Sequence, residues 1–158
     1  MTTSLVTGGC GFLGAAIARG LQARGDDVIV LDVAEECPVE GAEYRRVDIT
    51  DKAAVIEACK GADTVVHNAS IVHTKWNKVD VVWSVNLGGT ENMLEAARIN
   101  GVERFIYISS GSVVYEGKDI ENGDESLPYA SISQAPYADS KIEAEKLVLD
   151  ANGEGGIA

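Results

Sequence analysis

Basic residues are scarce in this chain, and their scarcity limits the kinds of partner it can have. Thirteen lysines and arginines stand against 25 aspartates and glutamates, which gives a formal net charge of −12 over 158 residues. Binding to nucleic acid or to an anionic membrane needs clustered positive charge. We therefore expect neither partner, and we interpret the acidity as a contribution to solubility.

Long apolar runs and paired cysteines are also missing. No segment reaches the ~20 apolar residues that cross a bilayer, and residues 1–11 lack the basic flank and apolar core of a signal peptide. Cys10, Cys37 and Cys59 are odd in number and far apart. The sequence therefore predicts no membrane span, no disulfide framework and no metal site, and it favours a reduced, cytoplasmic setting.

Short apolar segments alternate with segments of helical periodicity along the whole chain. The predicted strands are residues 4–7, 28–31, 44–47, 64–66 and 104–109. The predicted helices are residues 12–23, 50 or 51 to 60, 79–100 and 137–150, and residues 111–136 are predicted to form a loop. Strands that alternate with helices predict an α/β fold, a doubly wound parallel sheet in three α/β/α layers.

A glycine-rich turn joins the first predicted strand to the first predicted helix. It contains GxGxxG starting at Gly9 and the wider GxxGxxG starting at Gly8. Glycine is needed where backbone turns tightly and approaches a pyrophosphate, which the amides of a helix N-terminus then hold. Between a strand and a helix, this pattern predicts dinucleotide binding by a Rossmann fold. The cofactor contacts predicted from the turn are Gly8, Gly11, Phe12, Leu13 and Gly14.

An acidic residue, Asp32, ends the second predicted strand, where a dinucleotide ribose is recognised. Its carboxylate is placed to accept the two ribose hydroxyls, whereas a 2′-phosphate would meet like charge there. Glu35 and Glu36 add to that repulsion, and no Arg or Lys occurs between Asp32 and Arg45. The sequence therefore favours NAD over NADP as the cofactor.

Tyr137 and Lys141 lie four residues apart on the last predicted helix and therefore share one face of it. A free tyrosine has a pKa of about 10, so a base that works at neutral pH needs help in losing its proton. An ammonium group one turn away favours the phenolate by direct attraction. We predict that Tyr137 is the catalytic base and that Lys141 both activates it and contacts the nicotinamide ribose.

Three serines, Ser109, Ser110 and Ser112, follow the apolar part of the fifth predicted strand. A hydroxyl at this position can hydrogen-bond the substrate oxygen while its charge changes. The count from Phe105 favours Ser110 for that role, with Ser112 as the alternative. A third interpretation is that these serines only complete the hydrogen bonding of the strand.

Taken in order, these motifs resemble the extended short-chain dehydrogenases/reductases of the NAD-dependent epimerase/dehydratase superfamily. The family pattern TGGxGFxG matches residues 7–14, an HxAA-like segment matches residues 67–70, NVxGTxNxLEAA matches residues 86–97, and YxxxK matches residues 137–141. The resemblance covers the whole chain. It implies further cofactor contacts at Asp48, Ile49, Asn68, Ala69, Ser70 and Asn86.

Three positions in these matched segments need comment. Ser70 stands where the family usually has a second alanine. Asn86 is expected at the start of a helix, where it either orients the Lys141 region through hydrogen bonds or satisfies buried backbone groups. His67 is expected to fill a structural position.

Residues 109–117 are longer than the corresponding sugar-epimerase pattern SSxxVYG. Together with residues 119–123 and 125–129, they look like the 3β-hydroxysteroid and sterol-4α-carboxylate 3-dehydrogenases. This resemblance implies that a tyrosine takes the proton of a sterol-like secondary alcohol while hydride passes to NAD. The alternatives are a nucleotide-sugar epimerase or dehydratase that retains its NAD, and a non-catalytic NAD-binding module.

The family resemblance also bears on domain organisation. Family members are much longer and carry a C-terminal substrate domain, so residues 1–158 are expected to be the NAD-binding, catalytic N-terminal part of a longer enzyme. Many members dimerise through helices that correspond to residues 79–100 and 137–150. A homodimer is therefore expected by analogy.

Overall fold

A parallel β-sheet forms the centre of the protein, and the computed structural model describes residues 2–153. Its strands are β1 (Thr3–Thr7), β2 (Asp27–Asp32), β3 (Glu43–Arg46), β4 (Thr64–His67) and β5 (Arg104–Tyr107). They lie in the order β3-β2-β1-β4-β5, and every neighbouring pair is parallel. The order reverses at β1, as in a doubly wound sheet.

Within the described residues, five α-helices connect or follow these strands. They are α1 (Phe12–Arg24), α2 (Lys52–Ala58), α3 (Val79–Trp83), α4 (Gly89–Asn100) and α5 (Pro136–Asp150). A π-helical segment, Ser84–Gly88, joins α3 to α4, and a 3₁₀ turn, Gly111–Val113, follows β5. Local signals fix several ends: Asp51 caps α2 through the amide of Ala54 (3.1 Å), and Gly25 ends α1 with φ of 97°.

The strands bury side chains on both faces of the sheet. Leu5 and Ile29 belong to a core that includes side chains of α2, α4 and α5. Val6 and Val30 point the other way, into a core with α1. Strands with continuous apolar sequences are typical of a sheet that is covered by helices on both faces. The predicted three-layer α/β/α Rossmann fold is therefore confirmed.

Two predicted elements differ from the structure in ways that affect the site. The segment 79–100 is helical, but its middle turn is the π-helical segment, so three elements replace the single predicted helix. β5 ends at Tyr107 rather than at Ser109, because its partner β4 ends at His67. The amide of Ile108 makes the last bond across this pair, to the carbonyl of His67 (3.0 Å).

Within residues 2–153, no helix has the length and apolar character needed to cross a membrane. The same residues contain no cluster of His, Cys, Asp or Glu suited to hold a metal ion. The ends of the predicted domain, residue 1 and residues 154–158, lie outside the described residues.

Candidate active site

A cleft of about 700 Å³ lies at the carboxyl ends of the strands. This is the edge at which doubly wound sheets bind ligands. The predicted site residues that line it are Gly8, Gly11, Phe12, Leu13, Asp32, Asp48, Ile49, Asn68, Ala69, Ser70 and Tyr137. The other four, Gly14, Asn86, Ser110 and Lys141, are not part of its lining among the described residues.

The glycine turn is shaped by two close backbone approaches. Gly8 has φ of +63°, and a Cβ atom there would lie 2.9 Å from the Cα of Ala69. A Cβ atom on Gly14 would lie 2.8 Å from the carbonyl carbon of Gly8 and closer still to its oxygen. The absence of a side chain at Gly14 therefore lets α1 pack against the turn.

The N-terminus of α1 opens on the cleft. Gly11 is its N-cap residue and offers no side-chain cap, while Phe12 and Leu13 of its first turn line the cleft. The first amides of a helix have no partner within the helix and carry its partial positive charge. This end of the cleft is thus suited to a phosphate or pyrophosphate group.

Asp32 joins the glycine turn to the loop after β2. Its Oδ2 accepts the amide of Cys10 (2.9 Å), and its Oδ1 accepts the amides of Val33 (2.7 Å) and Ala34 (3.1 Å). A carboxylate has about four lone-pair positions, so one is left for a ribose hydroxyl. The sequence predicted only a contact between Asp32 and the ribose. It did not predict that Asp32 also binds three backbone amides.

Asp48 and Ile49 follow β3 and also line the cleft. The carboxylate of Asp48 accepts the amide (2.9 Å) and hydroxyl (2.8 Å) of Thr50. Ile49 packs so tightly on Gly89 of α4 that a Cβ atom there would lie 2.7 Å from Cγ1 of Ile49. These contacts fix an apolar surface, suited to an adenine ring, beside Asp48.

A buried hydrogen-bond network supports the floor of the cleft. The hydroxyl of Thr7 accepts the amides of Asn68 (3.1 Å) and Ala69 (3.0 Å), which fills both of its lone pairs. It must therefore donate its own proton to Nδ1 of His67 (2.8 Å). Asn68 adds a bond from its side chain to the carbonyl of Gly8 (3.3 Å).

This arrangement determines the protonation state of His67. With Nδ1 an acceptor, the ring carries its proton on Nε2 and donates it to the hydroxyl of Thr90 (3.0 Å). Thr90 in turn donates to the carbonyl of Asn86 (2.6 Å). Burial lowers the pKa of His67 to about 3, and the nearby charge of Lys141 contributes to this effect. His67 is therefore neutral, and it is a structural group.

Asn86 connects the chain after β4 to helix α5. It lies within the π-helical segment rather than at a helix start, and it is almost fully buried. Its side chain bonds both the amide (2.8 Å) and the carbonyl (3.1 Å) of Ile71, and it donates to the hydroxyl of Ser140 (2.9 Å). Ser140 then bonds the carbonyl of Tyr137 (2.8 Å). Asn86 thus bonds buried backbone at Ile71 and also the helix that carries Lys141.

Tyr137 and Lys141 lie on the first turns of α5, on the side that meets the sheet. Tyr137 is half-buried and lines the cleft, whereas Lys141 is only 2% exposed. The Lys141 ammonium donates to the carbonyl of Ile108 (2.6 Å) and lies 4.0 Å from the ring centre of Tyr107. Burial lowers the pKa of Lys141 to about 8, and the charge of Glu145 opposes that shift.

The three serines after β5 differ in their contacts. Ser109 lines the cleft, but its hydroxyl donates to the carboxylate of Glu145. Ser110 and Ser112 share a hydrogen bond between their hydroxyls (2.9 Å), and Ser110 also accepts the amide of Ser112 (3.2 Å). The hydroxyl of Ser109 is thus committed to Glu145, and Ser110 and Ser112 remain the candidates for a substrate oxygen.

Several residues of this region were missed by the sequence prediction. Thr7, Thr90 and Ser140 complete the buried network, and Glu145 and Tyr107 surround the lysine. One signal was present for Glu145, because it follows Lys141 by four residues on the same helix. Tyr107 carried no such signal, since its contact with Lys141 depends on how α5 crosses β5.

Comparison with known sequences gives a consistent result. Residues 5–156 match the model of the 3-beta hydroxysteroid dehydrogenase/isomerase family. A 3-beta-hydroxysteroid dehydrogenase from Mycolicibacterium neoaurum is 40% identical over 97% of this chain and 44% of its own length. The human sterol-4-alpha-carboxylate 3-dehydrogenase, decarboxylating, is 39% identical over 93% of this chain and 39% of its own length. The chain spans less than half the length of these curated relatives.

Solved structures with the same fold include proteins of known ligand content. The UDP-glucose 4-epimerase of Thermus thermophilus in complex with NAD superposes with a TM-score of 0.87 and 34% identity, over 99% of this chain and 52% of its own. A short-chain dehydrogenase/reductase superfamily protein from Agrobacterium tumefaciens with bound NAD gives 0.86 and 30%, over 98% and 46%.

Proposed function

The chain belongs to the 3-beta hydroxysteroid dehydrogenase/isomerase family, and from this we propose that it binds NAD and oxidises a secondary alcohol of a 3β-hydroxysteroid-like substrate. The observation that carries the proposal is the position of Tyr137. Its side chain lines the same cleft as the glycine turn, with the ammonium-bearing Lys141 one turn behind it.

The residues around the cleft fit NAD. The open end of α1 suits the pyrophosphate, and the two glycines at positions 8 and 14 leave no room for a side chain against the turn. Asp32 places a negative charge where NADP would carry its 2′-phosphate. Two structural neighbours contain NAD. Bound in this cleft, NAD supplies the acceptor for a hydride.

In the proposed reaction, the phenolate of Tyr137 takes the proton of the substrate hydroxyl. Lys141 favours the phenolate by its charge, and a lysine whose pKa is about 8 is still mostly protonated at neutral pH. Ser110, with Ser112 as the alternative, donates a hydrogen bond to the substrate oxygen. Asn86, through Ser140, holds α5 at the carbonyl of Tyr137 and so supports this geometry.

The test is a pair of variants of the full-length protein. Tyr137→Phe removes the reacting oxygen and is expected to abolish NADH formation from 3β-hydroxysteroids while NAD binding is retained. Tyr115→Phe is the matched control, because Tyr115 is about half exposed and does not line the cleft in the described structure. Near-normal turnover by Tyr137→Phe would contradict the mechanism.

A second candidate function is nucleotide-sugar epimerisation, in which the cofactor is reduced only transiently. It is favoured by the similarity to UDP-glucose 4-epimerases among the solved structures. Stoichiometric release of NADH separates the two, because an epimerase has no net redox change. NAD binding without turnover of any sterol or sugar would instead support a non-catalytic module. A homodimer and a cytoplasmic location stay predictions.

A further inference from the structure

The ammonium group of Lys141 is buried, and its close contacts in the described part of the chain are with uncharged groups. Among residues 2–153, its contacts are the carbonyl of Ile108 at 2.6 Å and the ring of Tyr107, whose centre lies 4.0 Å away. Neither group carries a charge. A buried ammonium usually needs compensating interactions to stay protonated. For Lys141 these are the two contacts and the nearby charge of Glu145.

Tyr107 is held rigidly in this position. It is the last residue of β5 and pairs with His67 across the ladder, and its ring lies 5.8 Å from the ring of His67. Burial raises its pKa, with the nearby Tyr137 and Glu145 adding to the rise and Thr90 opposing it. Its hydroxyl, although buried, makes no hydrogen bond of normal geometry within the described structure. The hydroxyl of Tyr107 is thus neutral, and the ring alone contacts Lys141.

The other groups that face the ammonium lie on α5 and β4. On α5, Glu145 is attractive, but its carboxylate already accepts the hydroxyls of Ser109 and Tyr129 (3.0 Å for the latter). Tyr137, on the same helix, is the proposed base. From β4, His67 is kept neutral by its own network and does not repel the lysine.

We propose that Tyr107 is a positioning residue, whose ring holds the Lys141 ammonium charged and in place behind the cleft wall, and that its hydroxyl is dispensable. The proposal rests on the function proposed above, in which the charge of Lys141 favours the phenolate of Tyr137. The attraction arises because the negative face of an aromatic ring binds a desolvated cation. An acidic partner in its place would bind the ammonium more strongly and weaken its attraction for the phenolate.

The decisive experiment varies the ring without changing its shape. Tyr107 in the full-length protein is replaced by Phe and by mono-, di- and trifluorinated phenylalanine, because fluorine removes negative charge from the ring face. The titration of Lys141 is followed by NMR of carbon-labelled lysine side chains, with Lys141→Arg used to assign its signal. Tyr107→Phe should leave the midpoint unchanged, and the trifluorinated ring should lower it by about one pH unit.

The outcomes are distinct. The proposal is supported if the midpoint falls stepwise with increasing fluorination and is unchanged in Tyr107→Phe. A midpoint that is constant across the series overturns it, and so does a shift in Tyr107→Phe as large as that in the trifluorinated variant. Because the titration needs neither NAD nor a substrate, its result is independent of whether Tyr137→Phe abolishes turnover.

Discussion

Gly14 has no side chain, and we predict that both the packing of α1 and the binding of NAD require this. In Gly14→Ala, the new methyl group would lie 2.8 Å from the carbonyl carbon of Gly8 and from the Cα of Gly9. These contacts are with backbone, which cannot move aside as the end of a flexible side chain can. The methyl group therefore forces the N-terminus of α1 away from the glycine turn.

The size of the effect follows from the kind of clash. Overpacking a well-packed site costs about 1–3 kcal/mol, and a clash with backbone belongs at the upper end of that range or beyond it. In a domain of this size, about 3 kcal/mol lowers Tm by roughly 10 °C. A displaced helix N-terminus should also weaken NAD binding by about tenfold or more, which corresponds to about 1.4 kcal/mol.

The same helix offers a matched control. Gly20 lies within α1 and is exposed, and a Cβ atom there would meet nothing within 4 Å beyond the backbone of its own helix. Gly20→Ala should therefore raise stability by about 0.5–1 kcal/mol through helix propensity alone. Thermal unfolding and NAD titration of both variants make the test. If Gly14→Ala is as stable and binds NAD as tightly as Gly20→Ala, the close-packing argument is wrong.

Two further predictions concern the buried network and Asp32. Because burial lowers the pKa of His67 to about 3, the unfolded chain binds more protons between that value and about 6.5, so stability should fall as pH drops through this window. Unfolding measurements should show a weaker pH dependence in His67→Phe, and an unchanged slope would contradict the neutral assignment. Asp32→Asn should cost about 1–3 kcal/mol, because an amide cannot accept all three backbone donors. It should also weaken NAD binding, and unaltered stability and affinity would refute both roles of Asp32.

Local signals were sufficient to predict most of the architecture. Helix α1 was predicted at residues 12–23 and ends at Arg24, because its apolar period and the glycine after it are both visible in the sequence. The glycine turn was predicted for the same reason, since a strand, a glycine cluster and a helix follow one another directly. Information of this kind is contained within a few neighbouring residues.

The directions of side chains beyond the strand ends were not predictable in this way. The hydroxyl of Ser109 bonds Glu145, and the hydroxyls of Ser110 and Ser112 bond each other. These serines lie beyond β5, because β5 ends where its partner β4 ends and not where its sequence pattern stops. The π-helical segment that carries Asn86 has no sequence signal comparable to a cap or a period. Such features depend on contacts between residues far apart in the chain, which a sequence pattern does not specify.

In the network beneath the cleft, backbone amides determine which groups donate and which accept hydrogen bonds. Two amides, of Asn68 and Ala69, occupy both lone pairs of the Thr7 hydroxyl, and this alone forces His67 to accept at Nδ1. A second proton on that ring would leave Thr7 with a third donor and no free lone pair. His67 is therefore held neutral by chain geometry as well as by burial. Since a charged imidazole would oppose the ammonium of Lys141, the same geometry preserves the charge that the proposed base requires.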